Sequence, residues 1–410
     1  MSLSLVDLEF LTSPRGAALL EDLRSADLSE ATSLRLITLL RKTFTPDETR
    51  AALELARLRL KAVEKFAANA DRMYFTRDAL EQASDPLVRR YRAGWIMREN
   101  VLDVCCSMGS DALAFASTAH SVTGIDIDPV RVEMARLNAF ALGVTNARFE
   151  IADARGDLRA YLTGKSHLFF DPARRDESGR RVYDVEAYEP PLSTLRNWTV
   201  SRLIAKLSPG IDLTQLAGYG GIVEFISVDG DLKEAALYTS PDAFGANPSR
   251  CAVLLTESDV LRWTLPDSMP DARLSEPRAW LIEPDAALIR AGLVRDAGGK
   301  WDAYQLDEST AYLTAENQPI TEWARAWRII DWMPFSVKKL RAFLRERNIG
   351  IVTVKKRGTA VTPETIIPQL KLKGDQSCTL VLTRRAGEQI VVVCEDIAVG
   401  DVGLTTEQDK

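Results

Sequence analysis

Apolar residues recur along this chain with two different periods, and the change from one to the other divides it. Over residues 1–84 the period is helical. Thr45-Pro46-Asp47-Glu48 is a capping box with proline at the first helical position. It opens a helix on which Leu53, Ala56, Leu60, Val63 and Ala67 share one face. A short helix over Thr76 to Ala83 should end at Asp85-Pro86. From 85 to 270 short apolar runs alternate with crossovers: ENVLDV, SVTGID, ARFEIA, HLFFD, RLIAKL, GIVEFISV and CAVLLT. That alternation predicts a seven-stranded α/β sheet. Residues 271–332 read as a connector with helical pieces, EPDAALIRAGLV among them. Residues 333–400 form a small α/β domain: helix (337–347), strand (350–355), helix (362–370) and strands 378–382 and 389–394. A tail, 401–410, follows.

Composition narrows the class without naming it. With 410 residues, 46% apolar and 27% charged, the chain is globular and large enough for two or three domains. No apolar run approaches the roughly 20 residues of a membrane span, and the N-terminus lacks the order of a secretory signal. Five cysteines form neither a disulfide framework nor a CxxC pair, and there are two histidines. These counts point to a reduced cytoplasm and to no metal site. Net charge is −6, yet Ser336 to Lys373 holds ten Lys or Arg against two Glu. A basic window in an acidic protein suggests a polyanionic partner.

The candidate chemistry starts at Val101 to Asp111, VLDVCCSMGSD, followed by GIDIDP at Gly124 to Pro129. A strand enters a turn of small residues, a helix opens near Ser110, and a second strand ends in Asp126. Strand, tight turn, helix and a strand ending in acid make a nucleotide site: backbone approaches the ligand and the acid accepts from ribose hydroxyls. The small positions are Cys105, Ser107 and Gly109, preceded by Asp103. This resembles the D-x-G-x-G-x-G signature of class I S-adenosylmethionine-dependent methyltransferases, with Cys and Ser replacing two glycines. The resemblance implies a Rossmann-like methyltransferase sheet, parallel except for its last strand. It also implies S-adenosylmethionine across Asp103 to Gly109, ribose on Asp126 beside Ile127, and adenine near Asp153 and Ala154.

The fourth strand ends in Asp171-Pro172-Ala173-Arg174-Arg175. In the same family this strand end faces the transferring methyl, which implies catalytic roles for Asp171, Pro172 and Arg174. Asp-Pro resembles the [ND]-P-P-[YFW] motif of base amino-group methyltransferases, but the stacking ring is absent. D-P-x-R also resembles the uridine C5 methyltransferases, which need a cysteine nucleophile; Cys251, inside an apolar strand, reads as a buried structural thiol. The acceptor atom stays open. Arg174, Arg175, Arg180 and Arg181 either clamp substrate phosphates or pair with the loop's own acids. Lys206 is either another phosphate contact or a strand-end lysine reaching solvent. Glu224 either accepts from a substrate amine or lines a polar strand face. Tyr74, Phe75 and Arg77 are candidates for a lid over the cofactor, against a helical cap that merely packs beside it.

With LEQAS (Leu80 to Ser84), DPARR and EPDAALIRAGLV, the C-terminal module resembles the THUMP-like domain of a group of bacterial class I methyltransferases. That resemblance covers nearly the whole chain. THUMP domains bind RNA, which implies a structured RNA partner such as tRNA or rRNA, held by Arg175, Arg180 and Lys206 and by Lys355, Lys356 and Arg357. The expectation is thus an S-adenosylmethionine-dependent methyltransferase acting on RNA. Its rivals are a methyltransferase for a small molecule or protein, and a non-catalytic RNA-binding protein that retains the cofactor fold.

Overall fold

A computed structural model describes residues 3–174, 180 and 182–396. The chain divides into two units. One comprises residues through 228, 232–250 and 255–261; the other comprises 229–231, 251–254 and those from 262 on.

In the first unit, helices Leu5–Thr12, Pro14–Arg24, Glu30–Leu40 and Pro46–Phe66 precede the sheet. The expected capping box forms: Glu48 N–H donates to Thr45 Oγ1 at 3.2 Å and Thr45 N–H to Glu48 Oε2 at 2.7 Å. The buried face is the expected one only in part. Leu53 and Ala56 are buried, but Leu60 and Val63 are 59% and 54% exposed and Ala67 caps the helix, while Ala52, Leu55, Leu58 and Ala62 are buried beside the first two. Leucine and alanine populate more than one side of this helix, so the period alone leaves the face undetermined. Packing against helices Leu5–Thr12 and Pro14–Arg24 and against Met108 and Met134 selects it. Thr76 caps the short helix Arg77–Gln82, and Asp85 then caps the next one, Pro86–Gly94, through Leu87 N–H at 2.9 Å.

The strands that follow are β1 (Asn100–Val104), β2 (Ser121–Asp126), β3 (Ala147–Ile151), β4 (His167–Phe170) and β5 (Arg202–Leu207). Next come β6 (Ile222–Val228), β7 (Asp231–Thr239), β8 (Ser249–Leu255) and β9 (Val260–Thr264). Their order is β3-β2-β1-β4-β5-β7-β6-β8-β9. Pairs among β1 to β5 are parallel, and β7 runs antiparallel to β5. The expected Rossmann-like sheet is present, with a difference: the antiparallel strand is DLKEAALYT, and CAVLLT is an eighth strand. DLKEAALYT escapes a sequence reading because its opening is polar and only Glu234 to Leu237 is buried without a break. Strand order reverses between β2-β1 and β1-β4, so the carboxyl ends of β1 and β4 open a crevice where α/β sheets bind ligands.

The second unit contains β10 (Trp280–Pro284), β11 (Tyr304–Gln305), β12 (Leu313–Ala315), β13 (Ala324–Pro334), β14 (Ile349–Lys356), β15 (Gln376–Arg385) and β16 (Glu388–Cys394). Their order is β11-β12-β10-β13-β16-β15-β14. Helices Val337–Glu346 and Pro363–Leu370 cover one face. Cys378, Leu380 and Leu382 of β15 with Val391 and Val393 of β16 point to them, while Val381, Ile390, Val392 and Cys394 point to the other core. This is the period-two alternation of a sheet covered on both faces. The stretch expected as a connector supplies four of the seven strands. WARAWRIIDW lies mostly within β13, with Trp327 buried beside Leu281, Leu306 and Tyr312.

Candidate active site

A cleft of about 630 Å³ lies at the carboxyl ends of β1, β2, β4 and β5 in the first unit. Asp103, Cys105, Ser107, Asp126, Ile127, Asp153, Ala154, Asp171, Pro172, Arg174 and Lys206 all line it. Residues separated by up to a hundred positions thus meet in one crevice.

The turn after β1 solves the motif's missing glycines by strain. Cys105, Ser107 and Gly109 have φ of 64°, 51° and 82°, all left-handed. Cys105 and Ser107 therefore adopt the backbone that glycine would, at a cost of roughly 1–2 kcal/mol each. At Gly109 a Cβ would sit 3.1 Å from both Ala135 Cβ and the Phe149 ring, so here glycine is retained. Ser107 N–H donates to Asp126 Oδ2 at 2.9 Å and Asp128 N–H to Oδ1 at 3.0 Å. Asp126 is locked in place with one acceptor site occupied on each oxygen. Burial raises its pKa, against the pull of these N–H groups and Arg131.

Asp103 is 1% exposed, and neither carboxylate oxygen has a hydrogen-bond partner. Burial, reinforced by the charges of Asp111 and Asp171, pushes its pKa well up. Ser107 Oγ is likewise buried and unpartnered. Burial also raises the Cys105 and Cys106 thiols well above their usual value, and Cys251 lies buried in β8, away from the cleft. No described cysteine supplies a thiolate beside Asp171. Asp153 is held by Arg155, whose Nε and Nη2 donate at 3.0 and 2.9 Å; these bonds lower its pKa.

At the end of β4, Lys206 Nζ donates to Asp171 Oδ2 at 2.9 Å and to Gln82 O at 3.1 Å. Lys206 is 3% exposed, so it neither reaches solvent nor stands free for a phosphate. Arg174 Nη1 donates to Leu207 O at 2.9 Å, and its Nη2 lies 3.8 Å from Asp171 Oδ1. Arg175 and Arg181 lie outside the described residues. Arg180 is exposed and does not line the cleft. Glu224 accepts from Tyr91 OH at 2.9 Å and does not line the cleft, so it is no partner for a substrate amine there.

Three further features complete this site, and two of them, Arg92 and Lys65, had no legible signal in the chain. Arg92 is fully buried, pairs with both Asp111 and Glu234, and lies with its guanidinium carbon 4.5 Å from the Phe169 ring centre. Burial opposes its charge, but Glu234 and Asp111 outweigh that and hold it cationic. The second feature is the cleft wall Glu81 to Pro86, which includes most of LEQAS. Third, Lys65 Nζ fastens that wall by donating to the carbonyls of Leu80, Glu81 and Ala83 at 2.9, 3.1 and 2.7 Å. Of the two readings of Tyr74, Phe75 and Arg77, the helical cap is the one this geometry favours: none of the three lines the cleft, and Arg77 is exposed. Phe75 is buried against Phe66, and Tyr74 N–H is bonded to Asn138.

In the second unit, Lys355 and Arg357 converge on Glu283 at 2.8 and 3.6 Å. Lys355 also lies over Trp327, and Arg357 over Tyr312. Lys356 is exposed, as are Lys338, Lys339, Arg345, Lys371 and Lys373.

A doubly wound sheet with a ligand cleft at its switch point and an acid closing each of β1 and β2 defines a class I methyltransferase fold. Comparison with known proteins agrees. Residues 101–165 match the family described as methyltransferase domain, 324–396 the family THUMP domain-like, and 4–62 a domain of unknown function. An uncharacterized S-adenosylmethionine-dependent methyltransferase of Mycobacterium tuberculosis is 33% identical over 313 residues, covering 76% of this chain and 84% of the relative. An uncharacterized RNA methyltransferase of Streptococcus mutans is 31% identical over 112 residues, 27% of this chain and 24% of its own. A crystal structure of a candidate methyltransferase from Porphyromonas gingivalis W83 has the same fold, with a TM-score of 0.72, 20% identity and coverage of 93% and 98% of the two chains. This chain belongs to the family of class I S-adenosylmethionine-dependent methyltransferases with a C-terminal THUMP-like domain. It is a methyltransferase, and S-adenosylmethionine is its cofactor.

The cleft fits that cofactor on its own chemistry. A buried carboxylate without a partner suits a ligand bearing cationic groups, and Asp126 keeps unused acceptor capacity for a pair of hydroxyls. Among the described residues no cluster of His, Cys, Asp and Glu could hold a metal ion. No described helix is long and apolar enough to cross a membrane.

Proposed function

We propose that the enzyme methylates a nucleotide of a structured RNA, tRNA or rRNA, held by the THUMP-like domain. In this reading the cofactor's charged methionine end meets Asp103, its ribose Asp126 beside Ile127, and its adenine the Asp153-Ala154 turn. When bound, S-adenosylmethionine supplies a methyl group already activated on a sulfonium. The chain's own task is then to position the acceptor and exclude water. Asp171 and Pro172 orient the acceptor at the end of β4, and Arg174, anchored on the Leu207 carbonyl of β5, adds a positive charge 3.8 Å from Asp171. The observation that carries the catalytic assignment is the Asp171–Lys206 pair, a buried ammonium on a half-buried carboxylate at the strand end that opens into the cleft.

RNA as substrate is supported by the THUMP-like module and by its exposed cations. Helix Val337–Glu346 presents Lys338, Lys339 and Arg345 to solvent, and Lys371 and Lys373 follow the next helix. Lys356 belongs with these, whereas Lys355 and Arg357 are committed to Glu283 and their aromatic neighbours. The test is transfer of labelled methyl from S-adenosylmethionine to bulk RNA of a strain lacking the protein. Label in RNA, with binding that falls steeply as salt rises, supports the reading. Label only in protein or small-molecule fractions ends it.

A further inference from the structure

We infer that the acceptor atom is a hydroxyl oxygen, the 2′-OH of a ribose, with Asp171 taking its proton and Lys206 stabilising the charge that develops. This rests on RNA as the substrate and goes beyond it by naming the atom.

A base acceptor needs a ring to stack on once it leaves the helix. The one described aromatic lining the cleft is Phe169, which is buried and already covered by Phe115 and Arg92. Residues 172–182, which follow Asp171, contain no aromatic, and Tyr183 just beyond them does not line the cleft. Methylation at a pyrimidine carbon needs a thiolate, and the two cysteines that line the cleft, Cys105 and Cys106, sit in the turn after β1, on the cofactor side, where burial holds both as thiols.

The hydrogen-bond donor at this end of the cleft favours oxygen over nitrogen. A neutral amine becomes positive as it accepts a methyl group; a hydroxyl oxygen becomes negative as its proton leaves. An amine nitrogen spends its one lone pair on the methyl carbon and cannot accept from the Lys206 ammonium, fixed beside Asp171 and shielded from water, whereas a hydroxyl oxygen keeps a second lone pair for it. Two of its three N–H donors are engaged, on Asp171 and Gln82 O, so one remains for the acceptor oxygen. Asp171 Oδ1 lies beyond hydrogen-bond reach of Arg174 and has room for a proton. A hydroxyl is also a weak nucleophile that requires such a base.

The step balances. An electron pair of the hydroxyl oxygen forms the bond to the methyl carbon, and the carbon–sulfur bond returns its pair to sulfur, leaving a neutral thioether. The hydroxyl proton passes to Asp171 and then to solvent.

The deciding experiment is to digest RNA labelled by the full-length enzyme, with and without prior alkaline hydrolysis. Label in a 2′-O-methylnucleoside, which leaves an alkali-stable dinucleotide, is the expected result. Label on a base overturns the inference and leaves RNA as substrate intact; RNA that takes up no label overturns both. On the labelled RNA, Lys206→Met should lower kcat by about 10²-fold while calorimetry shows cofactor affinity within about threefold of wild type. Lys206→Arg should recover much of that loss. Unchanged kcat in a folded Lys206→Met protein removes Lys206 from the chemistry.

Discussion

The charged cleft of the first unit and the basic window of the second behave in opposite ways once folded. The cleft takes ionisable groups out of water: Asp103 without a partner, Arg92 between Asp111 and Glu234, Lys206 on Asp171. The basic window leaves most of its charges in water and withdraws two, Lys355 and Arg357, onto Glu283 and aromatic faces. Buried charges act through short, fixed geometry; exposed ones act through number and are screened by salt. A cofactor and a reacting atom need the former, a polyanion the latter.

Breaking the buried side should have the largest effect. Arg92→Met strands Asp111 and Glu234 in the interior and is expected to cost about 3–5 kcal/mol in urea unfolding of the first unit. Adding Asp111→Asn and Glu234→Gln should restore most of it; no recovery would mean that Arg92 matters through its volume alone. Next in size, Asp126→Ala should weaken S-adenosylmethionine by about 10²-fold in calorimetry, because it removes the ribose acceptor and frees Ser107 N–H together. Binding close to wild type would detach the cofactor from β2.

Asp103 sharpens the contrast through pH. Its folded pKa is raised, so the native protein holds that proton more tightly than the unfolded chain does. Stability attributable to this group is complete below the ordinary carboxylate value and is lost as pH rises through the folded one. Asp103→Asn has no proton to lose. Its stability relative to wild type should therefore climb with pH over that window, by on the order of 1–3 kcal/mol, while cofactor affinity falls. A difference flat with pH would show that Asp103 is ionised in the fold. On the exposed side, reversing Lys338, Lys339 and Arg345 should reduce the salt slope of RNA binding by about one for each phosphate no longer neutralised. Reversing Lys355 and Arg357 should instead lower thermal stability, since their partner is Glu283. Equally weakened RNA binding from both sets would erase the distinction. The smallest effect belongs to the turn: Ser107→Gly and Cys105→Gly should each stabilise by about 1 kcal/mol by relieving left-handed strain.

What is legible in the chain is whatever depends on neighbours along it. The capping box at Thr45, the strand–turn–helix at Asp103 to Ser110, Asp126 at the end of its strand and Asp171-Pro172 at the end of another are local patterns, and each stands where its pattern requires. Cys105 and Ser107 depart from the motif in sequence, yet their φ values show that the backbone keeps its shape. What stays closed is whatever depends on partners far away in sequence. The inward face of helix Pro46–Phe66, the strand at 231–239, the burial of Lys206 under Gln82 and the bridge from Arg92 to Glu234, 142 positions on, follow from which elements the sheet brings together. A charged side chain reads the same in sequence whether it meets water or a counter-charge. Its surroundings are chosen by strand order, and strand order is a property of the assembled sheet.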